Sequence, residues 1–518
     1  MKKMKLFLIN AVILTATSLL LRTVGVSFNV YISNKIGASG MGLFQLIMSV
    51  HNLALTLALS GIGLAATRVV AQELAKDSPG GAKRAMSKCL LHSLLFGCLS
   101  MVLLLCTAPV IAEQWLQDPR TLKSLYILAV SLPFTSMCAA LGGYFTAVRR
   151  VVKSALTQIF EEFVKITLTV FGLMLLLPAG LEYACLAVVA GGCLANVFSF
   201  LCSLLLYLWD RRVHLKGKTE TPYPMKKVMA ISLPVALSSY LRSGLTTLEH
   251  LMIPTGLRKS GATTEAALAQ YGVIQGMALP IVFFPAAFIY AFANLLIPEI
   301  TERFARGEMA RIKSALSRVF QVVLIFSIGV GGILFFFAGD LGKTIYGNPL
   351  VGPFLQILAP LVPVMYLDTA VDSFLKGMNE QVACMRYNII DAFVSVVLVY
   401  FLLPMWGIKG YVVVIFASEM LNTLLSAWRL ITITQFRIQV LGWILKPVLA
   451  IAGGGSCGKL ALLGFTAAGI APALGLTLSI IAGVLVYFAA LRILHCISKK
   501  DAVMLRSLLW RKTARAGS

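Results

Sequence analysis

Fourteen long apolar runs constrain this chain more than any motif in it. They fall at 6–33, 42–70, 89–111, 122–148, 156–177, 183–209, 228–253, 268–296, 319–338, 354–375, 387–403, 408–430, 443–465 and 471–494. Each has at least the roughly 17–25 residues that a helix needs to cross hydrocarbon. In lipid, backbone N–H and C=O groups must be bonded within the protein, which leaves helices or closed barrels, and these runs are too long for barrel strands. The expected fold class is an all-α polytopic membrane protein with 14 transmembrane helices. A hydrophobic share of 58% against 13% charged residues agrees with that reading.

The charge that remains is ordered. A formal net charge of +24 invites a nucleic-acid reading, but the basic residues cluster in short loops between apolar runs, where orientation in the membrane explains them. Lys83, Arg84 and Lys88, then Arg149, Arg150 and Lys153, then the stretches 211–227, 303–318 and 499–515 fall in alternate loops. This places the N-terminus inside, and an even helix number returns the C-terminus to the same side. No nucleic acid is expected as a partner. The ten cysteines lack paired spacings such as C-x-x-C, so neither a disulfide framework nor a zinc site is supported. The start, Met1-Lys2-Lys3-Met4-Lys5, resembles the basic end of a signal peptide, but the apolar run after it is too long and has no small-x-small cleavage site. It reads as a retained first helix.

The chain also repeats itself. At an offset of 230 residues, Gly42 and Gln45 meet Gly272 and Gln275, and Lys83, Ala85, Ser87 and Lys88 meet Lys313, Ala315, Ser317 and Arg318. Phe96 meets Phe326, Pro133 meets Pro363, Tyr144 meets Phe374, Glu161 meets Asp391, and Phe163 meets Phe393 in the same register. Six helices per copy is an even number, so the copies are related by an axis along the membrane normal. The expected organisation is an N-terminal six-helix lobe at 1–210 and a basic cytoplasmic linker at 211–227. A C-terminal six-helix lobe at 228–431 follows, then helices 13 and 14 at 432–495 and a basic cytoplasmic tail at 496–518.

Ionisable residues inside the runs are costly in lipid and mark candidate sites. Arg22 sits mid-way along the first run and Arg242 mid-way along the seventh, matched at an offset of 220. Both are far enough from the run ends to make snorkelling awkward, although pairing with a carboxylate such as Glu249 is the plain alternative. The expectation is that Arg22 and Arg242 line a central cavity and bind an anion. Arg68 reads equally as a substrate gate or an inside-positive anchor. Glu161 and Lys165 stand i, i+4, so an intrahelical ion pair is a sufficient structural account, yet Glu161 recurs as Asp391. Glu161, Asp368, Asp372 and Asp391 are the candidates for coupling to Na+ or H+, with a packing role as the alternative. Glu419 and Asn422 share one face of the twelfth run. His51 and His250 read as satisfied polar residues, and Gly453-Gly454-Gly455 as close helix packing or a local break. No Walker A motif, catalytic triad or cofactor motif is present in the sequence, so an enzyme, a bound cofactor and a metal are not expected.

Two stretches resemble a known superfamily. Ile36-Gly37-Ala38-Ser39-Gly40-Met41-Gly42-Leu43-Phe44 is similar to an "IG-x-x-G-x-GLY" segment, with Phe44 in place of Tyr. Gly143-Tyr144-Phe145 followed by Gln158 to Lys165 is similar to a "GYF…Q-x-x-E-Q-x-x-R" stretch, with Lys165 in place of Arg. With the helix count, the repeat and Arg22, these resemble the multidrug/oligosaccharidyl-lipid/polysaccharide exporter superfamily, in its stage V sporulation protein B and polysaccharide-biosynthesis branch. The resemblance covers about the first 430 residues well. It implies a flippase for polyprenyl-pyrophosphate-linked saccharide in the bacterial cytoplasmic membrane, serving cell wall, spore cortex or exopolysaccharide synthesis. It also implies relatives among lipid II flippases, which carry functional arginines in their first helix; Arg22 matches that feature. The expected partners are a lipid-linked oligosaccharide and membrane lipids, with the protein as a monomer. A drug/cation antiporter of the same superfamily is the alternative, and a membrane glycosyltransferase or polymerase a further one, for which the outward loops are too short.

Overall fold

The computed structural model describes residues 2–214, 223–436 and 439–496. The basic linker at 211–227 lies partly, and the tail at 496–518 almost wholly, outside them. Among the described residues there is no strand. The helices are α1 (Lys2–Leu59), α2 (Ile62–Ala75), α3 (Pro79–Val110), α4 (Leu122–Ala147), α5 (Val151–Leu176), α6 (Leu181–His214), α7 (Met225–Lys259), α8 (Thr264–Tyr271), α9 (Leu279–Phe283), α10 (Ala286–Ala305), α11 (Met309–Tyr346), α12 (Val351–Leu358), α13 (Val362–Gly377), α14 (Gln381–Trp406), α15 (Ile408–Thr434), α16 (Lys446–Ala467) and α17 (Pro472–Ile493). Among the described residues, thirteen segments are long and apolar enough to cross a membrane. The first of them, Ala16–Ala75, holds two of the expected runs. The expected runs fall on helices; one of them, 268–296, is interrupted by a turn at Phe284 and Pro285, between α9 and α10.

Two breaks shape that first segment. At Gly37 the backbone leaves the helix with φ 71° and ψ −177°, a conformation open only to a residue without a Cβ. The second break, unforeseen in the run 42–70, is at Ser60 and Gly61, with φ of 44° and 69°. Carbonyls in and just before this break accept side-chain hydroxyls. Ser100 Oγ donates to Ala54 O at 2.6 Å, Tyr240 Oη to Leu57 O at 3.4 Å, and Ser136 Oγ to Ala58 O at 2.8 Å. Broken helices survive in membranes on this condition.

The chain packs as two compact units, Met1–Pro280 with Met385–Ser418, and Ile281–Cys384 with Glu419–Ser518. In the first, α2, α3, α4 and α6 close on a core of small residues with Tyr144, Phe145 and Tyr207. The repeat is visible in atoms here. A Cβ on Gly42 would fall 2.0 Å from Leu268 O, and one on Gly272 2.1 Å from Ala38 O. Leu268 is the residue matched to Ala38 at offset 230, so the two copies meet through a reciprocal, self-complementary contact.

In the second unit, α16 and α17 pack on each other and on α11. A Cβ on Gly454 would stand 2.7 Å from Gly483 O, and Tyr487 Oη donates to Ile325 O at 2.7 Å. The glycine run therefore serves close packing, without a break. Lys459, an awkward charge within an apolar run, pairs with Asp340 of α11.

Candidate functional site

Two cavities in the first unit share a wall. The first, about 680 Å³, lies between the α1 segment after Gly37, the start of α2, and α7. Its lining is polar for a membrane interior: Gln45, Asn52 and Thr56 of α1 face Ser239, Arg242, Ser243 and Thr246 of α7. Leu59, Gly61, Ile62 and Gly63 line it too, so the helix break opens onto it. Arg242 is exposed within this cavity and lies near enough to Asp391 of α14 for their charges to attract. Asp391 accepts a hydrogen bond from Ser418 Oγ at 2.6 Å. Glu249, about two turns of α7 beyond Arg242, lies close enough to Asp391 for their charges to act on each other. His250 Nδ1 meets Tyr271 Oη at 3.0 Å, and Gln275 Nε2 donates to Tyr411 Oη at 2.5 Å. Both histidine and glutamine are thus held by phenols.

The second cavity, about 470 Å³, is inside the first six helices. Gln45 and Asn52 line both cavities. Glu161 and Lys165 of α5 face it, but they do not form the hydrogen-bonded pair expected at i, i+4. Lys165 Nζ pairs with Glu162 Oε2 at 2.6 Å, while Glu161 Oε2 accepts from Ser199 Oγ at 2.7 Å. The reason lies in the direction of Glu162, which faces α1: its Oε1 stands 4.0 Å from where a Cβ on Gly25 would be.

The other candidates are spread. Arg22 is half-buried on α1, one turn before Gly25, and Arg68 is exposed on α2. In the second unit Asp368 accepts from Asn422 Nδ2 at 3.2 Å, and Asp372 pairs with Lys376 at 2.9 Å. Arg242 and Asp391 are therefore brought together, Glu161 belongs to the neighbouring cavity, and Asp368 and Asp372, though on one face of α13, have separate partners. The second unit has its own cavity, about 740 Å³ and almost wholly apolar, between α11, α13, α15 and α16.

Sequence reasoning missed the phenol partners of His250 and Gln275 and the serines holding the repeated carboxylates. The serines carried a signal. Ser199 and Ser418 are related by 219 residues, and so are Asp210 and Arg429. At that second pair the ion pairs correspond with polarity reversed. Asp210 binds Arg150 in the first half, and Arg429 binds Glu380, the residue matched to Arg150, at 2.9 Å in the second.

Residues 7–289 match the model of the polysaccharide biosynthesis protein family. The chain belongs to that family. It is 28% identical over 512 residues, 96% of each chain, to stage V sporulation protein B of Bacillus subtilis strain 168. To lipid II flippase MurJ of the same organism it is 22% identical over 426 residues, 74% of each chain. Among solved structures, a lipid II flippase MurJ in an inward closed conformation aligns with a TM-score of 0.69 at 13% identity, covering 97% of this chain and all of that one. An inward-facing multidrug resistance MATE family transporter of the MOP superfamily aligns with a TM-score of 0.60 at 14% identity, over 81% of this chain and 99% of its own. This family member thus has the multi-helix membrane fold that its sequence resembled. The relatives whose names state an activity are flippases and transporters, so it stands among transport proteins and not enzymes.

Proposed function

We propose that this protein flips a polyprenyl-pyrophosphate-linked saccharide across the bacterial cytoplasmic membrane by alternating access. The repeat halves 1–210 and 228–431 are its moving lobes, and residues 432–495 an added helix pair. One observation carries the reading: Arg242 stands in a hydroxyl- and amide-lined cavity within the helical bundle. Passage of a pyrophosphate through hydrocarbon requires something to replace its water, and guanidinium offers a forked, permanently charged donor to phosphate oxygens. Arg22, at the matching position of the first half, and Arg68 are the further basic candidates for the same head. The apolar cavity of the second unit supports a separate place for the prenyl tail, since Phe335, Leu424 and Val448 there are exposed side chains with nothing polar to satisfy. Glu161, Asp368, Asp372 and Asp391 are the candidates for Na+ or H+ coupling. The protein works as a monomer with both termini cytoplasmic.

The test is reconstitution in liposomes with a fluorescent polyprenyl-pyrophosphoryl disaccharide. Arg242→Ala should slow flipping at least tenfold, and Arg242→Lys should restore it in part, because lysine keeps the charge and loses the fork. Normal flipping with Arg22 and Arg242 both replaced by alanine sinks the proposal.

A further inference from the structure

The cavity within the first six helices has no place in the phosphate-binding argument, yet it too has a polar lining. Carboxamides from two helices, Asn29, Gln45 and Asn52 of α1 and Asn196 of α6, face it. The amide nitrogen of Asn29 is committed to Gly276 O at 3.1 Å. Two further polar atoms are buried at its wall with no partner in the protein: His51 Nδ1, on a side chain 5% exposed, and Thr169 Oγ1, on one fully buried. Groups of this kind are costly to bury unless something bonds them. The volume, about 470 Å³, is in the range of small-molecule sites, about 300–1000 Å³.

The chemistry of the wall selects among ligands. A carboxamide offers an acceptor and donors side by side, which matches a hydroxyl that both donates and accepts. Glu161 keeps a carboxylate oxygen beyond the one that takes Ser199, and a carboxylate accepts from neighbouring hydroxyls. Lys165 is committed to Glu162 and so presents no free cation to an acidic group. Phe28 and Phe44 add apolar faces. Gln45 and Asn52 line this cavity and the Arg242 cavity alike, so the two are adjacent.

We infer that this cavity is a saccharide subsite, taking an uncharged, hydroxyl-rich sugar ring of the head group whose phosphates occupy the Arg242 cavity. The inference rests on the flippase reading and adds to it where sugar is distinguished from phosphate. It also makes acidic sugars poor substrates, because Glu161 repels their carboxylate.

The experiment compares two lipids in liposomes, polyprenyl pyrophosphate bare and carrying an uncharged disaccharide, with wild type, Asn196→Leu and Thr169→Val. Thr169→Val keeps the shape and removes only a hydroxyl that has no partner in the protein, so it serves if Asn196→Leu does not fold. For the sugar-bearing lipid the apparent KM should rise about three- to tenfold per variant, the worth of one or two lost hydrogen bonds. For the bare lipid it should not change. Equal effects on both lipids, or none on either, overturn the subsite. So does a variant that alters Na+ dependence while leaving the ratio between lipids at the wild-type value, since that makes the cavity a cation site. If wild type moves neither lipid, the flippase reading itself fails and takes the subsite with it.

Discussion

The polarity-reversed ion pairs allow the worth of burial to be measured inside one protein. In the first half Asp210 is 1% exposed, and its carboxylate is held by Tyr144 Oη at 2.7 Å, Lys153 Nζ at 2.7 Å and Arg150. Lys153 also lies over the Trp209 ring at 4.4 Å. In the second half the matched positions lack these supports, since Phe374 replaces Tyr144 and Ala383 replaces Lys153. Glu380 and Arg429 are 26% and 39% exposed. Removing one partner of a buried ion pair costs about 3–5 kcal/mol. Arg150 and Lys153 are 29% and 18% exposed and can recover some hydration, which lowers the expected cost of Asp210→Asn to about 2–4 kcal/mol. Glu380→Gln breaks a more exposed but forked pair, worth about 1 kcal/mol. Thermal unfolding of the detergent-purified protein, followed by fluorescence-detected gel filtration, should show Asp210→Asn lowering Tm by about 2–4 °C, since a chain of 518 residues shifts about 1 °C per kcal/mol. Glu380→Gln should lower it by about 1 °C at most. Equal shifts for the two variants would refute the claim that burial, and not the ion pair as such, sets the energy.

The reciprocal glycine contact makes Gly42→Ala and Gly272→Ala each destabilising by about 1–3 kcal/mol, because a backbone carbonyl cannot swing aside; unchanged Tm in both variants counts against the contact. Neutralising Glu161, Asp368, Asp372 and Asp391 one at a time, with transport followed against pH and Na+, should change the ion dependence for at least one; four variants with wild-type dependence make all four structural. Filling the apolar cavity of the second unit with Ala427→Trp should slow transport of a long-chain lipid several-fold more than that of a short-chain analogue, and equal slowing of both excludes a role in tail binding.

The helices were legible because lipid leaves the backbone one solution, and the repeat because Gly42, Gln45 and Pro133 recur without a gap at Gly272, Gln275 and Pro363. Arg242 in a cavity was legible for the same physical reason, since a central guanidinium needs a polar surround. What did not show was which side chains meet. Lys165 has acids at i−4 and i−3, and spacing allows either; in the structure Ser199 takes Glu161 and Lys165 turns to Glu162. The break at Ser60 and Gly61 was hidden because Leu59 and Ile62 keep the stretch apolar on either side. The hydroxyls that make the break tolerable come from Ser100, Ser136 and Tyr240, 40 or more residues away.

The two halves have diverged where their interiors are polar, and the direction of that change bears on what each can hold. At offset 220, Asn29 is matched to Glu249; at offset 230, Glu161 is matched to Asp391 and Lys165 to Ser395. The second-half set therefore joins two carboxylates, Glu249 and Asp391, with Arg242 acting on Asp391. The first-half set has one of those carboxylates replaced by a carboxamide, and its lysine is taken up by Glu162. Two carboxylates beside one guanidinium oppose an anion at the Asp391 end, so a phosphate falls to the face of Arg242 that lines the cavity, which neither Glu249 nor Asp391 lines. Carboxamides instead recruit hydroxyls and water. The two halves thus present different chemistries, and Gln45 and Asn52, common to both cavities, are where one gives way to the other.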